Sequence, residues 1–299
     1  MSLVATLISN PNDPALDQTA VEAARAILPA AGEPDWLDPG IAADIPFSPN
    51  ASDETPQAIA ERLRAARGDR PVDVVVQPIA ARRKKLFLAD MDSTMIGQEC
   101  IDELAAFAGL KEHVAAITER AMRGDIAFEP ALRERVALLK GLALRVVDEV
   151  IEKHITLTPG GPTLVRTMRA HGAYTCLISG GFTVFTTRIA AQIGFQENRA
   201  NTLDIVDGTF AGTVAPPIIG RDAKLATLLE LRESFDLDTI DTLVVGDGAN
   251  DLGMIEAAGL GVAYRAKPKV AAAAAARIDF GDLTALLYAQ GYRRDEFVS

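Results

Sequence analysis

Past Pro159 short apolar runs and helix-length segments take turns. Ala173-Tyr174-Thr175-Cys176-Leu177-Ile178 reads as a strand, 182–193 as a helix, and 202–214 as a hairpin turning at Asp207-Gly208. Residues 222–234 read as a helix, Thr242-Leu243-Val244-Val245 as a strand, 250–258 as a helix and Gly261-Val262-Ala263-Tyr264 as a strand. Strands that alternate with helices predict an α/β fold with a doubly wound, Rossmann-like parallel sheet and right-handed crossovers. In such sheets ligands bind beyond the carboxyl ends of the strands, so the residues that follow each apolar run are the ones to read for chemistry.

Upstream the pattern changes. Residues 3–8 suit a strand, 17–28 an alanine-rich helix, and 31–55 a Pro/Asp/Gly-punctuated stretch with room for one short strand. Thr55 as N-cap and Pro56 at the first helical position open a helix to about Arg67. Val72-Asp73-Val74-Val75-Val76 follows as a β-branched run broken once by Asp73. These elements predict a small N-terminal α/β unit over 1–80 with no catalytic constellation, open to a packing, regulatory or homodimerising role. The basic tetrad Arg82-Arg83-Lys84-Lys85 reads as a solvated linker into Leu86-Phe87-Leu88-Ala89. Between 98 and 157 the spacing is helical throughout: Ile101, Leu104, Ala105 and Ala108 recur at i, i+3, i+4, i+7, and Leu132, Val136 and Leu139 at i, i+4, i+7. The six-alanine run 271–276 is expected to be one tightly packed helix.

Composition removes several classes. With Lys+Arg 30 against Asp+Glu 41 the net charge is −11, which argues against nucleic acid or an anionic membrane as the main partner. Cys100 and Cys176 are too few for a disulfide framework and lie at no metal-ligand spacing, which fits a reducing cytoplasm. The first residues lack a basic n-region, and no uninterrupted apolar run reaches about 18 residues. A soluble, cytoplasmic chain is the expectation.

Each apolar run ends in a polar signature: Asp90-Met91-Asp92-Ser93-Thr94 after 86–89, Ser179-Gly180-Gly181 after 173–178, and Gly246-Asp247-Gly248-Ala249-Asn250-Asp251 after 242–245. Asp90 and Asp92, two apart at a strand end, start on one side of the sheet. Crowded carboxylates raise one another's pKa unless a hard cation sits among them, and magnesium favours a few carboxylates with phosphate oxygens and water. The segment from Gly246 follows a strand like a dinucleotide fingerprint but carries Asp251 where the third glycine belongs. No G-x-x-x-x-G-K-[ST] loop is present, which excludes a P-loop phosphotransferase. Ser179-Gly180-Gly181 suits an anion, a hydroxyl with backbone N–H groups at a helix start.

Taken together, Asp90-x-Asp92-x-Thr94, Ser179, Lys224 and the segment Gly246 to Asp251 resemble the four ordered motifs of the haloacid dehalogenase superfamily of phosphohydrolases. Within it, residues from about 84 to 290 are similar to the phosphoserine phosphatase family, in which Ile178-Ser179-Gly180-Gly181-Phe182 and a helical insert after the first strand are typical. The second aspartate, Asp92, is specific to the phosphatase branch. Residues 1–80 weakly resemble an ACT-like regulatory region. The resemblance implies a catalytic core from 84–97 and 158–299 and a helical cap from 98–157.

The resemblance also implies roles. Asp90 would be the nucleophile and Asp92 the general acid and base. Mg2+ would be held by the Asp90 carboxylate, the Asp92 backbone carbonyl and Asp247, with Asp251 as outer support. Lys224, Ser179, Gly180 and Asn250 would hold the phosphate. Glu99 and Arg135 would read the ammonium and carboxylate of phosphoserine. Met122 and Phe128 match cap positions that line a pocket, although core packing is the plainer reading of both. Arg133 cannot face the same way as Arg135, and only the resemblance separates them. His113, His154 and His171 are scattered without ligand spacing. The implied activity is hydrolysis of O-phospho-L-serine through an aspartyl-phosphate, the last step of serine biosynthesis. The alternatives are a phosphatase or phosphotransferase for another small phospho-metabolite, or an amino-acid-sensing module.

Overall fold

Leu86, Phe87, Leu88 and Ala89 are all fully buried, the condition of a strand covered on both faces, and in the computed structural model they form the middle of a seven-stranded sheet. The structure describes residues 2–49, 55–123 and 125–299, and the side chain of Met122 lies outside what it describes. The N-terminal elements are β1 (Leu3–Ser9), α1 (Gln18–Ile27), β2 (Asp35–Asp38), β3 (Ala42–Phe47), α2 (Pro56–Ala66) and β4 (Val72–Pro78). After β5 (Leu86–Ala89) come four helices, α3 (Cys100–Phe107), α4 (Lys111–Arg123), α5 (Phe128–Leu138) and α6 (Val146–Lys153). The chain then runs α7 (Gly161–Ala170), β6 (Tyr174–Phe182), α8 (Thr183–Ile193), β7 (Glu197–Val206), β8 (Thr209–Ala215) and α9 (Arg221–Ser234). It closes with β9 (Thr242–Gly246), α10 (Leu252–Ala257), β10 (Leu260–Tyr264), α11 (Pro268–Ala273), β11 (Ala276–Ile278) and α12 (Ala285–Ala289).

The large sheet has the order β11-β10-β9-β5-β6-β7-β8. Its pairings are parallel except for the β7–β8 hairpin. Strand order reverses about β5: the chain moves out through β6 to β8 and returns on the other side at β9. That is a switch point of the sheet, where the loops after neighbouring strands diverge and leave a crevice. The carboxyl ends of β5, β6 and β9, with the turns that follow β5 and β9, carry the three polar signatures.

The N-terminal strands form an antiparallel sheet of order β2-β3-β1-β4 with a βαββαβ chain order, the split βαβ arrangement. Alternation divides β1 between two cores: Leu3, Ala5 and Leu7 pack under α1 and α2, whereas Ile8 joins Val75 in the core of the larger sheet. Asp73, which interrupts an apolar strand, accepts the backbone N–H groups of Asp279, Phe280 and Gly281 beyond β11.

Several expectations change. The described residues of the stretch 31–55 hold two strands, β2 and β3, and β3 is buried over most of its length. The basic tetrad is no solvated linker: Arg82 bonds Asp44, Thr6 and the carbonyls of Tyr288 and Ala289, and buried Lys84 donates to the carbonyls of Ala81 and Ile240. Its cations meet carbonyls and carboxylates that only tertiary folding brings near. The alanine run is split, because α11 ends at Ala273 and Ala276 pairs with Val262 as the start of β11. Sheet pairing there outweighs alanine's helix propensity.

Candidate active site

The chain leaves β5 at Ala89 and winds tightly through Met91–Met95, with Ser93 at φ 56. This turn stacks Asp90, Asp92 and Thr94 beside the loop after β9. Asp90 is 2 % exposed, Asp92 8 %, Asp247 4 % and Asp251 0 %. In the adjoining loop a Cβ at Gly246 would stand 2.5 Å from Asp251 Cγ, so only glycine lets that carboxylate fold back on the strand end. Asp251 Oδ2 accepts the N–H groups of Asp247 and Gly248, while Oδ1 accepts from Lys224 Nζ at 2.6 Å. Lys224, on the first turn of α9 and fully buried, donates equally to Asp90 Oδ1 at 2.6 Å. Thr94 Oγ1 donates to Asp247 Oδ1 at 3.1 Å.

Asp92 faces β6. Its Oδ1 accepts the Cys100 N–H and its Oδ2 lies 3.3 Å from Ser179 Oγ, whose oxygen in turn accepts the Gly181 N–H. Ser179, Gly180 and Gly181 lie in the extended end of β6, which runs to Phe182 before α8 starts. The expected cradle at a helix start is therefore a strand end. Asn201, fully buried on β7, braces it: its amide donates to the carbonyls of Gly180 and Ile219 and accepts from the Ile219 N–H. Its position in a plain hairpin strand gave no signal of this.

Residues of the helical segment 98–157 line the same cavity. Asp90, Asp92, Ser179 and Gly180 share a cavity with Glu99, Arg135, Phe128, Thr118 and Asn250. Glu99 precedes α3 and accepts from Ser93 Oγ at 2.7 Å. Arg135, on α5, is 5 % exposed. Arg133 points outward and pairs with Glu129 on its own helix, so the geometry separates the two arginines. Phe128 is only partly core: it lines the cavity, and a Cβ at Gly180 would stand 2.9 Å from its ring. None of His113, His154 and His171 lines the cavity.

Electrostatics follow from this crowding. Burial, reinforced by Asp251, pushes Asp90 well above the usual carboxylate range although Lys224 pulls it down. Burial raises Asp92 against the Cys100 hydrogen bond, and raises Glu99 strongly with help from Asp92 and Asp247. Asp247 is pushed up to about 7 by burial and then by Asp251. Burial works to discharge Lys224, but Asp251 and Asp90 outweigh it and hold it charged.

The donor set fits a hard cation. Single oxygens of Asp90, Asp247 and Asp251 lie within 4.8 Å of one another. Both Asp251 oxygens are occupied by protein donors, whereas Asp90 Oδ2 and Asp247 Oδ2 have no protein donor among the described residues. Two buried carboxylates with free oxygens and no sulfur or imidazole ligand suit an oxygen-seeking divalent ion.

The sequence profile of the haloacid dehalogenase-like hydrolases matches residues 87–256. A phosphoserine phosphatase of Streptomyces coelicolor is 40% identical over 84% of this chain and 61% of its own length. The chain thus spans about three fifths of that relative. A phosphoserine phosphatase of Polaromonas sp. is 42% identical over 72% of this chain and 94% of its own. The crystal structure of a haloacid dehalogenase family hydrolase from Salmonella enterica serovar Typhi superposes with a TM-score of 0.83 at 29% identity, covering 96% of this chain and 97% of that one.

Proposed function

We propose, because the chain belongs to the haloacid dehalogenase-like hydrolases and within them to the phosphoserine phosphatase family, that it is a phosphoric monoester hydrolase that converts O-phospho-L-serine to L-serine and phosphate. One observation carries the choice of substrate. One cavity is lined by Ser179, Gly180 and Asn250 and, from the helical segment 98–157, by the half-buried acid Glu99 and the buried arginine Arg135. Phosphoserine carries a phosphate, an ammonium and a carboxylate, and each finds a group of opposite or complementary character.

In this reading residues 84–97 and 158–299 are the catalytic core, 98–157 the cap and 1–80 an ACT-like unit. Ser179 Oγ, the Gly180 N–H, Asn250 and Lys224 hold the phosphoryl oxygens, and Lys224 balances the charge that grows on them in the transition state. The Asp90 carboxylate attacks phosphorus as the bond to the serine oxygen breaks, giving an aspartyl-phosphate. Asp92, whose pKa burial raises, acts as the acid that gives a proton to that oxygen. Once serine leaves, Asp92 takes a proton from water, which attacks phosphorus, releases inorganic phosphate and restores Asp90. Asp90, Asp247 and the Asp92 backbone carbonyl would hold Mg2+, which supplies positive charge beside the transferring phosphoryl group. Asp251 holds Lys224 and the loop rather than the metal. The cap excludes water from the first step.

No helix among the described residues is long and apolar enough to cross a membrane. The two buried, unpaired cysteines support a cytoplasmic setting. The test is a phosphate-release screen over small phosphorylated metabolites with Mg2+. Phosphoserine should give the highest kcat/KM. A higher value for a sugar phosphate or nucleotide would refute the reading.

A further inference from the structure

Arginine side chains are long, and a ligand that must order one loses affinity in doing so. Arg135 arrives already ordered. Its Nε donates to the Ala131 carbonyl one turn earlier at 3.0 Å, and its Nη1 donates to Thr118 Oγ1 on α4 at 2.9 Å. Two anchors on different nitrogens fix the plane of the guanidinium. Nη2 has no protein acceptor among the described residues, and Arg135 lines the cavity.

Thr118 is 4 % exposed and also lines that cavity. Its hydroxyl has one proton, which points to Asp102 Oδ1 on α3 at 2.7 Å, with the Val114 carbonyl at 3.1 Å. Donation to a carboxylate leaves the hydroxyl oxygen a better acceptor for the guanidinium. Among the described residues the Asp102 carboxylate bonds the Thr118 hydroxyl and makes no ion pair with Arg135. Its charge acts on the arginine through space, while its hydrogen bond goes to the threonine, which leaves the Nη2 edge open. One chain of bonds, Asp102 to Thr118 to Arg135, pins three cap helices to the group that faces the substrate. If α3, α4 and α5 needed only apolar packing here, a buried hydroxyl and a half-buried carboxylate would be a cost without return.

From this geometry we infer that Thr118, backed by Asp102, is the positioning residue that aims the Arg135 guanidinium, and so sets selectivity for phosphate monoesters that carry a carboxylate. The inference rests on the phosphoserine reading and deepens it. It gives the cap a second task besides covering the site: its internal packing determines how well the substrate's carboxylate is read.

The experiment compares wild type, Thr118→Val, Thr118→Ser and Asp102→Asn in the full chain with Mg2+. Each is assayed on O-phosphoserine and on O-phosphoethanolamine, which keeps the phosphate and ammonium and lacks the carboxylate, as substrate or competitive inhibitor. Thr118→Val leaves the Nη1 donor unpaired and should raise KM for phosphoserine roughly tenfold, about 1.4 kcal/mol. Its kcat, and the constants for phosphoethanolamine, should stay close to wild type. Thr118→Ser should restore KM, and Asp102→Asn, which keeps a hydrogen bond and loses the charge, should fall between. Equal losses on both compounds, no change in KM, or failure of serine to rescue would overturn the inference. Wild type that does not distinguish the two compounds would overturn the phosphoserine reading itself, and this inference with it.

Discussion

Lys224→Met tests whether the buried charges are held by pairing. Lys224 is 0 % exposed, with Nζ 2.6 Å from Asp90 Oδ1 and 2.6 Å from Asp251 Oδ1. At an effective dielectric of about 20, each contact carries roughly 6 kcal/mol of gross Coulomb attraction. Much of that offsets the several kcal/mol needed to dry each ion. Methionine fills a similar volume but does not rehydrate the carboxylates, which remain buried and face one another. Removing one partner of a buried pair costs about 3–5 kcal/mol. With Asp247 also in the cluster, the upper end is expected. Urea unfolding at pH 8 without divalent cations, followed by far-UV circular dichroism, should show the midpoint falling with the slope unchanged. The pH dependence supplies the sign. Asp90 already sits above its unfolded pKa, and losing the opposing cation raises it further. A carboxyl raised in the folded state penalises folding at pH above its folded pKa, and the penalty fades as pH falls through that value. The loss should thus shrink at pH 5. A loss under about 1 kcal/mol at pH 8, within the range of exposed pairs, or an equal loss at both pH values, would refute the pairing argument.

Asp90→Asn should abolish turnover while leaving the folded far-UV circular dichroism spectrum and phosphoserine binding in place, and undiminished phosphate release would remove Asp90 as nucleophile. Excess chelator should stop phosphate release, and added Mg2+ should raise the melting temperature of wild type more than that of Asp247→Ala; full activity in chelator would remove the metal from the reaction. Asp73→Ala should cost about 2–4 kcal/mol, since it orphans the N–H groups of Asp279, Phe280 and Gly281. An unchanged unfolding midpoint would show that water satisfies those groups instead.

What could be read from the sequence was what local chemistry determines. The strand runs, the 3.6 period between 98 and 157 and the polar signatures after each strand need no tertiary knowledge, and the sheet rule then places the signatures on one rim. The parts that escaped are set by partners distant in sequence. Arg82 reads as linker because Asp44 and the carbonyl of Ala289 are brought to it only by folding. Asp73 reads as an imperfection in a strand until its three N–H donors appear. Ala276 carries a helix signal that strand pairing with Val262 overrides. In the site, Asn201 and Thr118 touch backbone or other side chains rather than completing a motif, so spacing has nothing to say about them.

The acidic balance of the chain takes its meaning from this placement. A net charge of −11 would repel a doubly charged phosphate ester if it were spread evenly, yet Asp90, Asp92, Glu99, Asp247 and Asp251 are gathered around Lys224 and Arg135 in one nearly dry region. Burial there raises the pKa of Asp90, Asp92, Glu99 and Asp247. Without a divalent cation the region is therefore poised to hold protons. Proton retention and metal binding compete for the same oxygens of Asp90 and Asp247, so affinity for the cation should rise with pH through the neutral range. The sensitivity of such a site comes from the same crowding that makes it costly to fold, because carboxylates that were well solvated or fully paired would have little reason to bind a metal or to give up a proton on demand.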